Sequence, residues 1–132
     1  MGILFKCGSG EYCLKIHTTY GKWCSIKLLL ARSNYRKHYI TNIRQYDDDL
    51  SLQEYYHFFT TCEHPQEYKG IIYLLGQTNI HGYYTYSQCE DILNMIHENE
   101  NIHTSVREEM FMTQFIEMIE YSIRHHKNVY IM

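Results

Sequence analysis

The sequence predicts an α+β domain: an N-terminal antiparallel β-meander of about four strands packed against about three helices, with one or two further short strands. Three observations carry this. Apolar residues alternate in the first part of the chain, with short turns between the alternating runs. From about residue 47 the apolar period becomes helical, and Ser-x-x-Glu boxes open the helical runs. At 132 residues, with 45% hydrophobic and 15% aromatic content, the chain is long enough to bury one core and too apolar for disorder. Residues 1–132 therefore read as a single globular domain.

The elements follow in order. In "ILFKC", Ile3, Phe5 and Cys7 alternate with Leu4 and Lys6, as in a short strand. "GSGE" supplies a turn, and "YCLKIH" sets Tyr12, Leu14 and Ile16 against Cys13, Lys15 and His17. After the turn "TTYGK", the run "WCSIKLLLA" is apolar enough for a central strand, and Ser33-Asn34 breaks it. "YRKHYITNIRQY" then reads as a fourth strand, rich in aromatic and β-branched residues. Short consecutive strands joined by small turns favour antiparallel pairing.

Ser51 and Glu54 form the first capping box, and Leu52, Tyr55, Tyr56 and Phe59 the stripe that docks its helix. The run 70–76, "GIIYLLG", reads as a short buried strand between glycines. The connection "QTNIHGYYTY", 77–86, is long and aromatic, the kind of loop in which function concentrates. Ser87 and Glu90 open a second helix with the stripe Cys89, Ile92, Leu93 and Ile96. Ser105 and Glu108 open the longest, lined by Met112, Phe115, Ile116, Ile119 and Ile123. Arg124 to Lys127 place cations at its C-terminal dipole, and "NVYIM" reads as a last strand.

Charge divides at the same boundary. Residues 1–46 carry eight Lys and Arg against Glu11, a net +7, whereas residues 47–132 carry four against fourteen acids, a net −10. Such asymmetry points to nucleic acid, to an oppositely charged partner, or to self-complementarity, homodimers included. Five widely spaced cysteines without a signal-peptide pattern imply reduced thiols and a cytoplasmic location. No run of eighteen apolar residues marks a membrane span. Fifteen Ile against one Ala and two Val is the skew of an AT-rich coding genome, and hints at a phage or mobile element acting in a host cytoplasm.

Reactive side chains are plentiful but scattered. Nine histidines occur without a C-x₂-C pair, and "HENENIH" has Asn101 where a second zinc-binding histidine would stand. His57, Cys62 and His64 need donors from elsewhere in the fold. Asp47, Asp48 and Asp49 suit the positive end of the helix that follows them. Cys89 opens an apolar stripe, as a buried inert thiol does. No metal, cofactor or catalytic set is therefore expected, with a small metal-dependent hydrolase around Asp47–His64 as an alternative.

The expected function is that of an interaction protein. The acidic, Tyr-rich half fits a small inhibitor or immunity (anti-defence) protein that binds and blocks a larger macromolecule. Its candidate contacts are Asp47, Asp48, Asp49, Glu54, Tyr55, Tyr83, Tyr84, Tyr86, Glu98 and Glu100. The alternative is nucleic-acid binding through the basic, Tyr-rich stretch 32–46, with Arg32, Tyr35, Arg36, Lys37, Tyr39 and Arg44 as contacts. Strand alternation would put Arg36 and Arg44 on the face opposite Tyr35 and Tyr39, so cations and rings are mostly separated there.

Overall fold

The computed structural model describes residues 2–8, 13–38, 50–77, 82–99 and 106–132. Strand β1 (Gly2–Cys7) and strand β2 (Leu14–Thr19) form the hairpin that the alternating apolar residues predict. Helix α1 (Tyr20–His38) follows, then α2 (Leu52–Thr61), a 3₁₀ turn at Pro65–Tyr68 and α3 (Lys69–Gly76). Strand β3 (Tyr83–Tyr84) leads into α4 (Tyr86–Glu98), α5 (Val106–His125) and β4 (Val129–Ile131). The architecture is α+β, with one antiparallel sheet in the order β2-β1-β4-β3.

Two of the expected strands are helices, for one physical reason. The run from Trp23 to Ala31 lies in α1, which buries Trp23, Ile26, Lys27, Leu30, Ala31 and Asn34. That spacing of three and four residues is the helical period, and Leu, Lys and Arg are good helix formers. Ser33 and Asn34 do not break the helix, because each satisfies its polar group. Asn34 Nδ2 donates to the Leu30 carbonyl one turn back (2.8 Å), and the Ser33 hydroxyl donates to Asn99 Oδ1. Residues 35–38 of the expected fourth strand continue the same helix, and residues 39–46 lie outside the described residues.

The run 70–76 likewise folds as α3 and buries Gly70, Ile71, Leu74 and Leu75 on one face. A Cβ on Gly70 would overlap the Asp91 carbonyl oxygen and Met95 Cβ, so this glycine lets α3 lie directly on α4. The two missing sheet positions are filled by β3, from the long 77–86 connection, and by the expected last strand, β4.

The first capping box is present as predicted. Ser51 Oγ accepts from the Glu54 amide, and the Ser51 amide donates to Glu54 Oε1. In α4 the box is Thr85 with Gln88, two residues before the Ser87–Glu90 pair. Ser105 lies outside the described residues. The buried face of α5 is Phe111, Phe115, Met118, Ile119 and Ser122, with Met112, Ile116 and Ile123 half-buried beside it.

Helices α1 and α5 pack on the sheet, while α2 packs on α1 and α3, and α4 on α3 and α5. An aromatic cluster joins the layers. Phe5 of β1 meets Trp23 edge-on at 4.8 Å, and both rings lie within 6.0 Å of Phe111 and Phe115. Such pairs contribute about 0.5–1.5 kcal/mol each beyond the area they bury. Lys27 is enclosed here with its ammonium 5.2 Å from the Trp23 ring centroid. Burial lowers its pKa, offset in part by the Cys24 thiol.

Candidate functional site: the open face of the sheet

Alternation gives each strand two faces, and the helices cover one. Ile3, Phe5, Cys7, Ile16, Tyr84, Val129 and Ile131 point inward and are buried. Their out-of-phase neighbours form the other face. Lys6 is registered with Lys15 on one side and Tyr130 on the other, and Tyr130 with Tyr83. Lys15, Lys6, Tyr130 and Tyr83 thus make one row across all four strands. A second row runs beside it: His17 is registered with Leu4, and Leu4 and Met132 exchange backbone hydrogen bonds of 3.2 and 2.8 Å.

This face is exposed. Tyr83 and Tyr130 retain 48% and 45% of their surface, and their ring centroids lie 6.0 Å apart at 36°. Lys15, His17 and Met132 are exposed, and Lys6 and Leu4 half-buried. None of the outward positions described on these strands is an acid. Lys6 and Lys15 stand directly opposite each other, a like-charge pair that costs a few tenths of a kcal/mol to about 1 kcal/mol. An anion laid between them relieves that repulsion. With strands about 4.8 Å apart, the row from Lys15 to Tyr83 spans roughly 14 Å.

A second cationic patch adjoins β4. The α5 helix ends in a Schellman-type turn, with the Lys127 amide donating to the Ser122 carbonyl (3.1 Å). His126 takes the left-handed position of that turn (φ 54°), which glycine usually fills. Its ring stacks on Tyr86 at 4.8 Å, and His125 lies 4.3 Å from the Tyr121 ring. The Tyr86 amide donates to Asn128 Oδ1, which ties the start of α4 to this turn. Arg124, His125, His126 and Lys127 are all exposed.

The residues singled out in the sequence are placed differently. Tyr55 and Tyr84 are core residues with no exposed surface, which corrects their assignment as partner anchors. The Tyr84 hydroxyl donates to the Leu74 carbonyl (2.7 Å), and burial pushes its pKa well up. Glu54, Tyr83, Tyr86 and Glu98 are exposed, but Glu54 opens α2 and Glu98 closes α4, on elements other than the sheet. Asp47, Asp48, Asp49 and Glu100 lie outside the described residues.

Of the basic set, Tyr39 and Arg44 also lie outside the described residues, and the others sit on α1 rather than on a strand. Tyr35 packs its ring against Tyr55 and Phe58. Lys37 donates to the Glu98 carbonyl at 3.4 Å, and Arg32 and Arg36 occupy the same last turns of α1. The open face is not legible locally because its aromatic half comes from residues at least 68 positions away from its lysines. The signal available in the sequence was that Lys6, Lys15 and His17 fall out of phase with the buried alternation.

Among the described residues no group of three or more His, Cys, Asp or Glu side chains comes together as metal donors. His57 and His64 are exposed, and Cys62 Sγ donates to the Phe59 carbonyl of its own helix. Cys89 is buried, with the Ser122 hydroxyl 3.6 Å from its sulfur, and burial raises its pKa to about 11. A thiol so protonated at neutral pH is a poor nucleophile. No helix among the described residues is long and apolar enough to cross a membrane. Comparison with protein-family models, with curated proteins and with solved structures returns no match.

Proposed function

We propose that this is a binding protein for single-stranded nucleic acid, with the open sheet face as its contact surface. One observation carries the reading: two lysines, a histidine and two exposed tyrosine rings share an uncovered sheet face without an acid among the described positions. Lysines neutralise phosphates, and exposed aromatic faces stack unpaired bases at about 1–3 kcal/mol per base. Four-stranded sheets that bind RNA in this way hold two or three bases, in keeping with the width of the row. The basic turn 124–127 extends the cationic track beyond β4. Duplexes fit less well, because their bases are already stacked and their rings unavailable to Tyr83 and Tyr130.

The test is fluorescence anisotropy with labelled single-stranded RNA and DNA of about ten nucleotides, titrated over a range of salt. Binding at low salt that falls linearly in log–log form, by about 0.7 per phosphate contacted, is the expected result. Absence of binding at low ionic strength refutes the reading.

A second reading rests on the helical side. Glu54, Glu90, Glu98, Glu109, Glu117 and Glu120 are exposed there. That surface fits a basic protein partner, as in a cytoplasmic inhibitor or immunity protein of a phage or mobile element. A stable protein partner recovered from host lysate after nuclease treatment, and lost when Glu117 and Glu120 are replaced by Lys, supports it; recovery of nucleic acid alone rejects it.

A further inference from the structure

At the edge strand β2, between it and helices α1 and α5, lies a cavity of about 270 Å³ lined by His17, Thr18, Lys22, Met110, Phe111 and Gln114. It falls just below the roughly 300–1,000 Å³ of pockets that enclose drug-sized ligands, so it suits a single ring system with a substituent. Phe111 and Met110 supply apolar walls, and Met110 leaves 63% of its surface exposed. Sulfur packs favourably against aromatic rings. The Gln114 amide adds a donor and an acceptor to the lining. Lys22 brings a cationic donor and His17 an imidazole, and the lining holds no acid.

A flat apolar body, an edge with donors and acceptors, and an anionic substituent together describe a nucleotide. We infer that this cavity receives one unstacked base of the bound strand, with its phosphate toward Lys22 and His17. The cavity lies on the helix-covered side of the edge strand, where Thr18 is registered with buried Ile3, so a strand crossing Lys6 and Lys15 rounds the β2 edge at His17 to reach it. The inference rests on the proposed binding of single strands. It adds base preference, which neither the lysines nor the exposed tyrosines supply.

The experiment uses the full chain and four homopolymer octamers, read by anisotropy, alongside the four nucleoside monophosphates read by tryptophan fluorescence. Trp23 is the single tryptophan and lies 5.9 Å from the Phe111 ring, so it reports on the cavity wall. Wild type is expected to prefer one base by about tenfold, the scale of one good base-edge contact. Gln114→Ala, at an exposed helix position that folds normally, abolishes the preference and leaves the salt slope unchanged. Lys6→Gln does the reverse.

Equal binding of all four octamers, or a preference that survives Gln114→Ala, overturns the cavity inference and leaves the sheet reading standing. If no octamer binds, the sheet reading falls and the monophosphates decide the cavity. Saturable quenching of Trp23 that is lost in Gln114→Ala retains it as a free-nucleotide site, and unchanged fluorescence eliminates it.

Discussion

The two faces of the sheet are built from alternate residues of the same strands, yet they obey opposite rules. Apart from Leu14 and Thr18 on the edge strand β2, the inner face is an apolar and aromatic set with almost no exposed surface, locked against Trp23, Phe111 and Phe115. The outer face combines opposed lysines with exposed tyrosines, an arrangement that contributes little to folding and carries its own repulsion. Stability resides on one side, and the proposed recognition on the other. Substitutions one residue apart therefore have unlike consequences.

Replacing Phe5 with Ala breaks the inner face. Loss of a buried aromatic at this depth costs about 3–5 kcal/mol, seen as a fall in the urea midpoint. Tyr130→Ala, on the neighbouring β4 position that faces outward, is the counterpart. It weakens single-strand binding by about 1–3 kcal/mol while the unfolding midpoint moves little. Equal loss of stability in the two variants would dissolve the distinction.

The same contrast is legible in the sequence only in part. The hairpin, the Ser51–Glu54 cap and the α+β class follow from alternation and capping chemistry, all of which act within a few residues. Residues 23–31 and 70–76 read as strands because a short apolar run looks alike in a strand and in a buried helix. Only neighbours distant in sequence decide between them, such as α4 accepting α3 at Gly70. The cationic half of the site was visible as Lys6, Lys15 and His17 out of phase with the core. The pairing of Lys6 with Tyr130 depends on a register set across 124 residues, and no local pattern announces it.

Lys27 sharpens the comparison from within the core, where a charge sits on the apolar side. Its pKa is lowered by burial, so the folded protein holds that proton less tightly than the unfolded chain. Stability contributed at this site rises as pH climbs from the folded pKa toward the ordinary lysine value of 10.5. Lys27→Met is expected to stabilise the protein at pH 7 by about 1 kcal/mol, with the gain shrinking toward pH 10. Denaturant unfolding at both pH values measures it. On the outer face, Lys15→Gln removes the repulsion with Lys6. It raises stability by a few tenths of a kcal/mol and lowers the salt slope of binding by about 0.7.

The central position of β1 has a consequence in time. This strand gains one neighbour from the adjoining hairpin at once, but its other neighbour, β4, lies beyond α1 to α5 in the chain. Closing so long a loop carries an entropic cost, so β1 is expected to join β4 late in folding. During synthesis the row through Lys6 and Tyr130 cannot exist until residue 131 has left the ribosome. A chain cut short before β4 carries its lysines without the tyrosine row beside them, so the proposed contact surface is itself a record that folding has finished.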